Sequence, residues 1–228
     1  MANGTAGTKG SSSSAGVNFV QLSNTEGEHL LNSHNDIWQK NPDVAKAISL
    51  YASNNNPNGD GFSHAQNLNY KLDNGGTLNA AEAAIDQGLQ KGMVALNQNV
   101  KLERYCHDDI LKQLGISDYT KMSDSELQNA IVGATMTTTS YMSTAYNGSM
   151  SPFAPGKSGG GGREVLMKIN AKKGTKFAPG DKNQGELILN KGSKIKVKNI
   201  YFDGTNAHPQ KTYPNPMPRV VLEIEISK

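Results

Sequence analysis

A single cysteine, Cys106, is all the thiol chemistry this chain carries, which excludes an internal disulfide framework and a cysteine-based zinc site. Long apolar runs are missing too. No stretch approaches the roughly 20 residues needed to span a bilayer. Residues 1–16, rich in Gly, Ser, Thr and Ala, lack the apolar centre of a secretory signal. The expectation is a soluble protein made in the cytoplasm, without a membrane partner. Basic and acidic residues nearly balance: the net +3 is small for the length and gives no basic stripe of the kind that nucleic-acid binders present. Nucleic acid stays open as a partner, with no feature in its favour.

What the chain has in quantity is glycine, 24 residues, with many Asn and Ser and only 36% hydrophobic residues. That composition implies long loops around a core, and 228 residues suffice to bury one. Residues 1–18 read as a disordered low-complexity tail. Residues 19–228 read as one domain, expected to be monomeric, with a helical half (19–97) and a β-rich half (98–228).

In the first half the apolar spacing is helical. Ile37, Trp38, Val44, Ala45, Ile48 and Tyr51 predict helix over 35–53, restarted at Asn41-Pro42 with Asn41 as N-cap and Pro42 in the first turn. A short helix is expected over 64–72. From Thr77 onward, Leu78, Ala81, Ile85, Leu89, Met93 and Leu96 keep a three-or-four spacing for about five turns. Gly88 and Gly92 either weaken that helix or let another element approach it closely. Ser123 and Glu126 make a capping-box pattern ahead of Leu127 and Ile131. Strands are expected near 99–105, 135–144, 164–170, 185–189, 194–202 and 219–227. The last sets Val220, Leu222, Ile224 and Ile226 against Val221, Glu223 and Glu225 in clean alternation. Helices first and strands afterwards argue for an α+β fold.

Several segments invite chemistry. Pro155-Gly156-Lys157-Ser158 is not a P-loop, because the pattern needs glycine where the chain has Ser151. A flexible lid over about 148–163 fits better, with Phe153 its only sizeable apolar side chain. His107-Asp108-Asp109 lacks a second histidine one turn on, and adjacent side chains cannot converge on a metal; no metal is expected. Arg104, in the strand-like run Val100 to Tyr105, is either a solvated arginine or a guanidinium clamp for an anion. Ser143, in Ser140-Tyr141-Met142-Ser143-Thr144-Ala145, is either a cross-strand hydroxyl or a support for an acidic side chain. Gln184-Gly185-Glu186 heads the apolar run Leu187 to Leu189. On a strand, residues two apart share a face, so an amide and a carboxylate would stand together where positive charge develops on a sugar.

In this order and spacing the three segments resemble the mono-ADP-ribosyltransferase superfamily of the arginine–serine–glutamate type, including Rho-modifying clostridial exoenzymes, binary-toxin enzyme components and phage-encoded transferases. Arg104 matches the arginine of the first strand, Tyr141-Met142-Ser143-Thr144 the aromatic-x-Ser-Thr-Ser motif, and Gln184-Gly185-Glu186 the catalytic-loop motif. Two positions depart from the pattern: Ala145 replaces the third motif residue, and Asp181 stands where an aromatic residue is usual.

The resemblance implies an α+β fold with N-terminal helices on a two-sheet mixed β core, and NAD as the substrate, split at the nicotinamide–ribose bond. It assigns Glu186 to the ribose 2′-hydroxyl and the developing positive charge, and Ser143 to orienting Glu186. NAD-binding roles fall to Arg104 on the pyrophosphate, to Tyr141 and Thr144 of the motif, and to Phe153 and Arg163 of the lid. Gln184 implies a protein acceptor other than arginine, such as asparagine. Two alternatives are an NAD glycohydrolase and an inactive virion- or secretion-associated binding module. Delivery by a phage particle or a secretion system would fit a toxin-like effector.

Overall fold

The computed structural model describes residues 17–147, 164–203 and 219–227. Strand β1 (Val20–Gln21) is followed by helices α1 (Asn24–Asn32), α2 (Asn35–Gln39), α3 (Pro42–Ala52), α4 (His64–Asp73) and α5 (Ala80–Gly92). Next come β2 (Val94–Ala95), β3 (Val100–His107), α6 (Asp109–Gln113) and α7 (Asp124–Ile131). The remaining strands are β4 (Thr135–Thr137), β5 (Met142–Ala145), β6 (Glu164–Ala171), β7 (Lys176–Pro179), β8 (Glu186–Leu189), β9 (Lys194–Asp203) and β10 (Arg219–Ser227).

The strands run in the order β2-β7-β8-β5-β3-β6-β10-β9-β4, with β1 also on β3. Two contacts are parallel, β1 with β3 and β6 with β10; the others are antiparallel. The α+β class with a mixed sheet is thus the observed one. Its two parts meet at a seam, because β3 and β5 share a single residue pair, Glu103 with Ala145. On one side lie strands of two to four residues. On the other, β3, β6, β9 and β10 run for eight to ten.

Local chemistry explains most helix boundaries. Asn41 caps α3 by accepting from the Val44 N–H, with Pro42 in the first turn. Ser23, Ser63, Asn79 and Ser123 each begin a capping box with Glu26, Gln66, Glu82 and Glu126. The helix expected to run from Thr77 to Leu96 is shorter. It stops at Gly92, where Trp38 Nε1 donates to the Gly92 carbonyl at 2.7 Å and satisfies an end that has no next turn. Leu96 keeps the helical spacing yet lies beyond β2, in the sheet core. The two glycines of α5 are close-approach positions. A Cβ on Gly88 would lie 2.3 Å from the Ala47 Cβ, and one on Gly92 would lie 2.7 Å from Val44 Cγ1, so α3 packs directly on α5.

The single strand expected over 135–144 is two, since β4 pairs with β9 and β5 with β8, in separate parts of the sheet path. Helices α3 to α5 cover the short-stranded part through Tyr51, Leu68, Ile85, Leu89, Tyr141, Ala178 and Ile188. Leu111, Leu127 and Ile131, from α6 and α7, join the larger core under β6, β9 and β10.

Candidate active site

The seam of the sheet carries the polar residues. A cleft of about 290 Å³ there is lined by Tyr51, Ser53, Gln66, Arg104, Tyr105, Ser143, Asp181, Gln184 and Glu186, among others. Arg104 reaches across from β3 to β5, donating from Nη1 to the Ser143 carbonyl at 2.7 Å. One guanidinium nitrogen is thereby fixed, and the bond crosses where the strands themselves make one pair.

Glu186 opens β8 and is only 8% exposed. Its carboxylate accepts the Asp181 N–H at 2.7 Å. The backbone around it is knitted as tightly: Glu186 N–H donates to the Asp181 carbonyl at 3.1 Å, and Gly180 N–H to the Glu186 carbonyl at 3.0 Å. Gly180 is required by proximity, since a Cβ there would lie 2.1 Å from Glu186 Oε2.

Gln184 and Glu186 do not sit on one strand face, as the spacing alone suggests. Gln184 ends a 3-10 turn, Lys182–Gln184, and Gly185 reverses the chain in the left-handed region at φ 61°. A Cβ on Gly185 would also lie 2.8 Å from the Asn147 amide. Both side chains nonetheless line the same cleft. Asp181 organises the turn. Its carboxylate caps Asn183 N–H at 2.9 Å and accepts Gln184 Nε2 at 2.7 Å.

The motif residues of β5 divide. Among the described residues, no hydrogen bond joins the Ser143 hydroxyl to Glu186; the carboxylate is held by the Asp181 amide instead. Thr144 is fully buried and donates to the Leu187 carbonyl at 2.9 Å, so its hydroxyl serves the β5–β8 pairing. The Tyr141 phenol is turned into the helix layer. It donates to Asp86 Oδ1 at 2.7 Å and accepts from Gln90 at 2.8 Å. Neither Thr144 nor Tyr141 is among the residues that line the cleft at the seam. Phe153, Arg163 and the expected lid lie outside the described residues.

Tyr51 is the residue that the apolar spacing hides. It packs edge-on against Tyr141 at 5.7 Å and accepts from Asn69 Nδ2 at 2.9 Å. Burial pushes its phenol up to about 12, against the Asn69 hydrogen bond, the Arg104 charge and the Ser143 side chain. It therefore stays protonated beside Arg104 and Ser143. Asn69 is an adjacent signal: its side chain also holds the Tyr141 backbone, accepting its N–H at 3.2 Å and donating to its carbonyl at 3.1 Å. Burial likewise raises the Cys106 thiol to about 11 despite Arg104, the direction that disfavours a thiolate.

The sequence profile of the ADP-ribosyltransferase exoenzyme family matches residues 32–212. No curated protein matches the chain in sequence. Solved structures similar in fold include an ADP-ribosyltransferase toxin from Paenibacillus larvae, at 17% identity and a TM-score of 0.62, over 90% of this chain and 96% of that one. An ADP-ribosyltransferase from Clostridium botulinum aligns at 17% identity and a TM-score of 0.60, over 92% and 100%. A third structure, from S. aureus and solved with NAD, aligns at 16% identity and 0.59, over 94% and 100%. The fold is shared along nearly the whole chain and the profile spans most of it: this chain belongs to the ADP-ribosyltransferase exoenzyme family, the NAD-dependent mono-ADP-ribosyltransferases.

Proposed function

We propose that the cleft at the seam takes NAD, breaks the bond between nicotinamide and ribose C1′, and passes ADP-ribose to a protein side chain other than arginine. The observation that carries this reading is the meeting of Arg104, Ser143, Gln184 and the buried Glu186 on one cleft. The electron pair of the C1′–N bond leaves with nicotinamide and neutralises its ring, so positive charge builds on the ribose. A lone pair of the acceptor then forms the new bond to C1′, and the acceptor gives up a proton.

Glu186 supplies the negative charge facing that ribose and accepts from its 2′-hydroxyl. Held by a backbone amide in a nearly water-free position, it needs no rearrangement as charge develops. Arg104, already tied to Ser143 through one nitrogen, has further donors for the pyrophosphate. The Ser143 hydroxyl and neutral Tyr51 phenol keep that wall of the cleft in place. Gln184 meets the acceptor.

Purified protein incubated with labelled NAD and a lysate tests the reading. Label appearing on protein, resistant to release by hydroxylamine at neutral pH as an amide linkage would be, is the expected result. Glu186→Gln should remove both nicotinamide release and labelling while leaving the thermal unfolding profile intact. Rapid nicotinamide release with no labelled macromolecule would replace the transferase reading with a glycohydrolase. Retained turnover in Glu186→Gln would remove that residue from the chemistry.

A further inference from the structure

Asp181 makes more contacts to the Gln-Gly-Glu turn than any packing role requires. Its carboxylate takes Asn183 N–H at 2.9 Å and Gln184 Nε2 at 2.7 Å, its N–H goes to the Glu186 carboxylate at 2.7 Å, and its carbonyl accepts from Gln184 and Glu186. It is half-buried and lines the cleft with both. An ionised carboxylate only accepts hydrogen bonds. The amide end of Gln184 that faces Asp181 must therefore be its NH₂, which sends the amide oxygen the opposite way.

We propose that Asp181 is the positioning residue for acceptor choice: it locks the Gln184 amide with its oxygen turned away from the Asp181 carboxylate and keeps a carboxylate out of position 184. This rests on the transferase reading and deepens it. A carboxylate at 184 would meet the Asp181 carboxylate at the distance now bridged by the Nε2 proton. Like charges that close cannot both remain ionised without opening the turn, and the turn is what aims the Asp181 N–H at Glu186. With its oxygen buried on the side away from Asp181, an amide so held brings no charged base to the acceptor, which suits one that offers a neutral side chain. A guanidinium needs more than that, because it must lose a proton to an ionised carboxylate as its nitrogen bonds to C1′ and nicotinamide departs with the electron pair.

The test is a double-mutant cycle on the full chain with Gln184→Glu, Asp181→Asn and the pair together. Nicotinamide release from NAD and labelling of agmatine, a soluble guanidine, are the activity readouts. Gln184→Glu alone should lower nicotinamide release about tenfold or more and leave agmatine unlabelled. Adding Asp181→Asn lets an amide N–H donate to the new carboxylate. The pair should regain most of the lost release and label agmatine. Thermal unfolding gives a readout that needs no activity. Gln184→Glu should lower the midpoint by about 2–4 °C, as expected for roughly 1 kcal/mol in a chain this size, and Asp181→Asn should restore it. Additive midpoints across the cycle, or agmatine labelling by Gln184→Glu alone, would overturn the proposal. A wild-type chain that releases no nicotinamide would sink the transferase reading instead, while the unfolding cycle would still judge the Asp181–Gln184 pair.

Discussion

The two sides of the seam differ in how they use their residues. In the short-stranded part, all four residues of β8 are buried, and β7 is buried at three of its four. In the long-stranded part, β9 alternates exposed Lys194, Lys196 and Lys198 with buried Ile195 and Val197. β9 is half-solvated and is held by one apolar face, while its neighbours β6 and β10 are buried at most positions. The short strands are covered on both faces, and the polar groups that enter there do so with partners: Glu186 with the Asp181 amide, Thr144 with the Leu187 carbonyl. A buried carboxylate costs stability unless it is hydrogen-bonded. Such a cost is worth carrying only where the chemistry needs it.

That contrast can be broken by experiment. The largest effect is expected for Gly180→Ala. The added methyl group displaces the Glu186 carboxylate, the flexible end of a side chain, so the fold survives while its charge is misaimed. Nicotinamide release should fall about 10²-fold or more with the unfolding midpoint nearly unchanged; an equal loss of stability would mean the two parts are not distinct. Ile224→Ala, in the fully buried row of β10, should do the reverse. About 2–5 kcal/mol of stability is lost, read by denaturant unfolding, with normal turnover per folded molecule.

Arg104→Lys lies on the seam and should show both effects weakly. Loss of the fork geometry raises the KM for NAD by roughly tenfold, about 1.4 kcal/mol, with a smaller change in kcat. The smallest effect belongs to the solvated face. The Lys172 hydrogen bond and charge hold the Glu225 carboxyl below the usual carboxylate range. A depressed folded value means stabilisation that is present at neutral pH and lost as pH falls through that value. Glu225→Gln should therefore cost at most about 0.5 kcal/mol at neutral pH, after solvent screening, and nothing in acid. A larger difference would show that this face contributes more than a solvated surface.

The long-stranded part is also the legible one. The alternation in β10 from Leu222 onward and the Ser123–Glu126 capping box describe their own elements, because burial on one face writes a period into the chain. The Ser23–Glu26 pattern carries the same signal for α1, although no apolar period follows it to draw attention there. Strands of two residues, β1 and β2, carry no period, and Lys176–Pro179 looks like turn sequence. The run 135–144 has uniform β propensity, so its division between two parts of the sheet depends on pairing partners far away in sequence. Met93 and Leu96 continue the spacing of α5 because residues that pack on the core just past a helix are as apolar as those within it. At the site, Arg104, Ser143, Gln184 and Glu186 are legible through resemblance of motif. Tyr51 is not, since on the chain it is one more apolar position of a helix.

Sequence alone determined the α+β order, the helix caps, and which guanidinium and carboxylate were candidates for the chemistry. These are local facts, fixed by hydrogen bonds within a turn and by the period of burial. Tertiary structure decided that Glu186 is aimed by the Asp181 amide while Ser143 faces Tyr51, that Thr144 and Tyr141 turn away from the cleft, and that Asp181 sets the orientation of Gln184. Each of these depends on which groups meet across a fold. No spacing along the chain records that, because a hydrogen bond has a direction and a partner as well as a residue type.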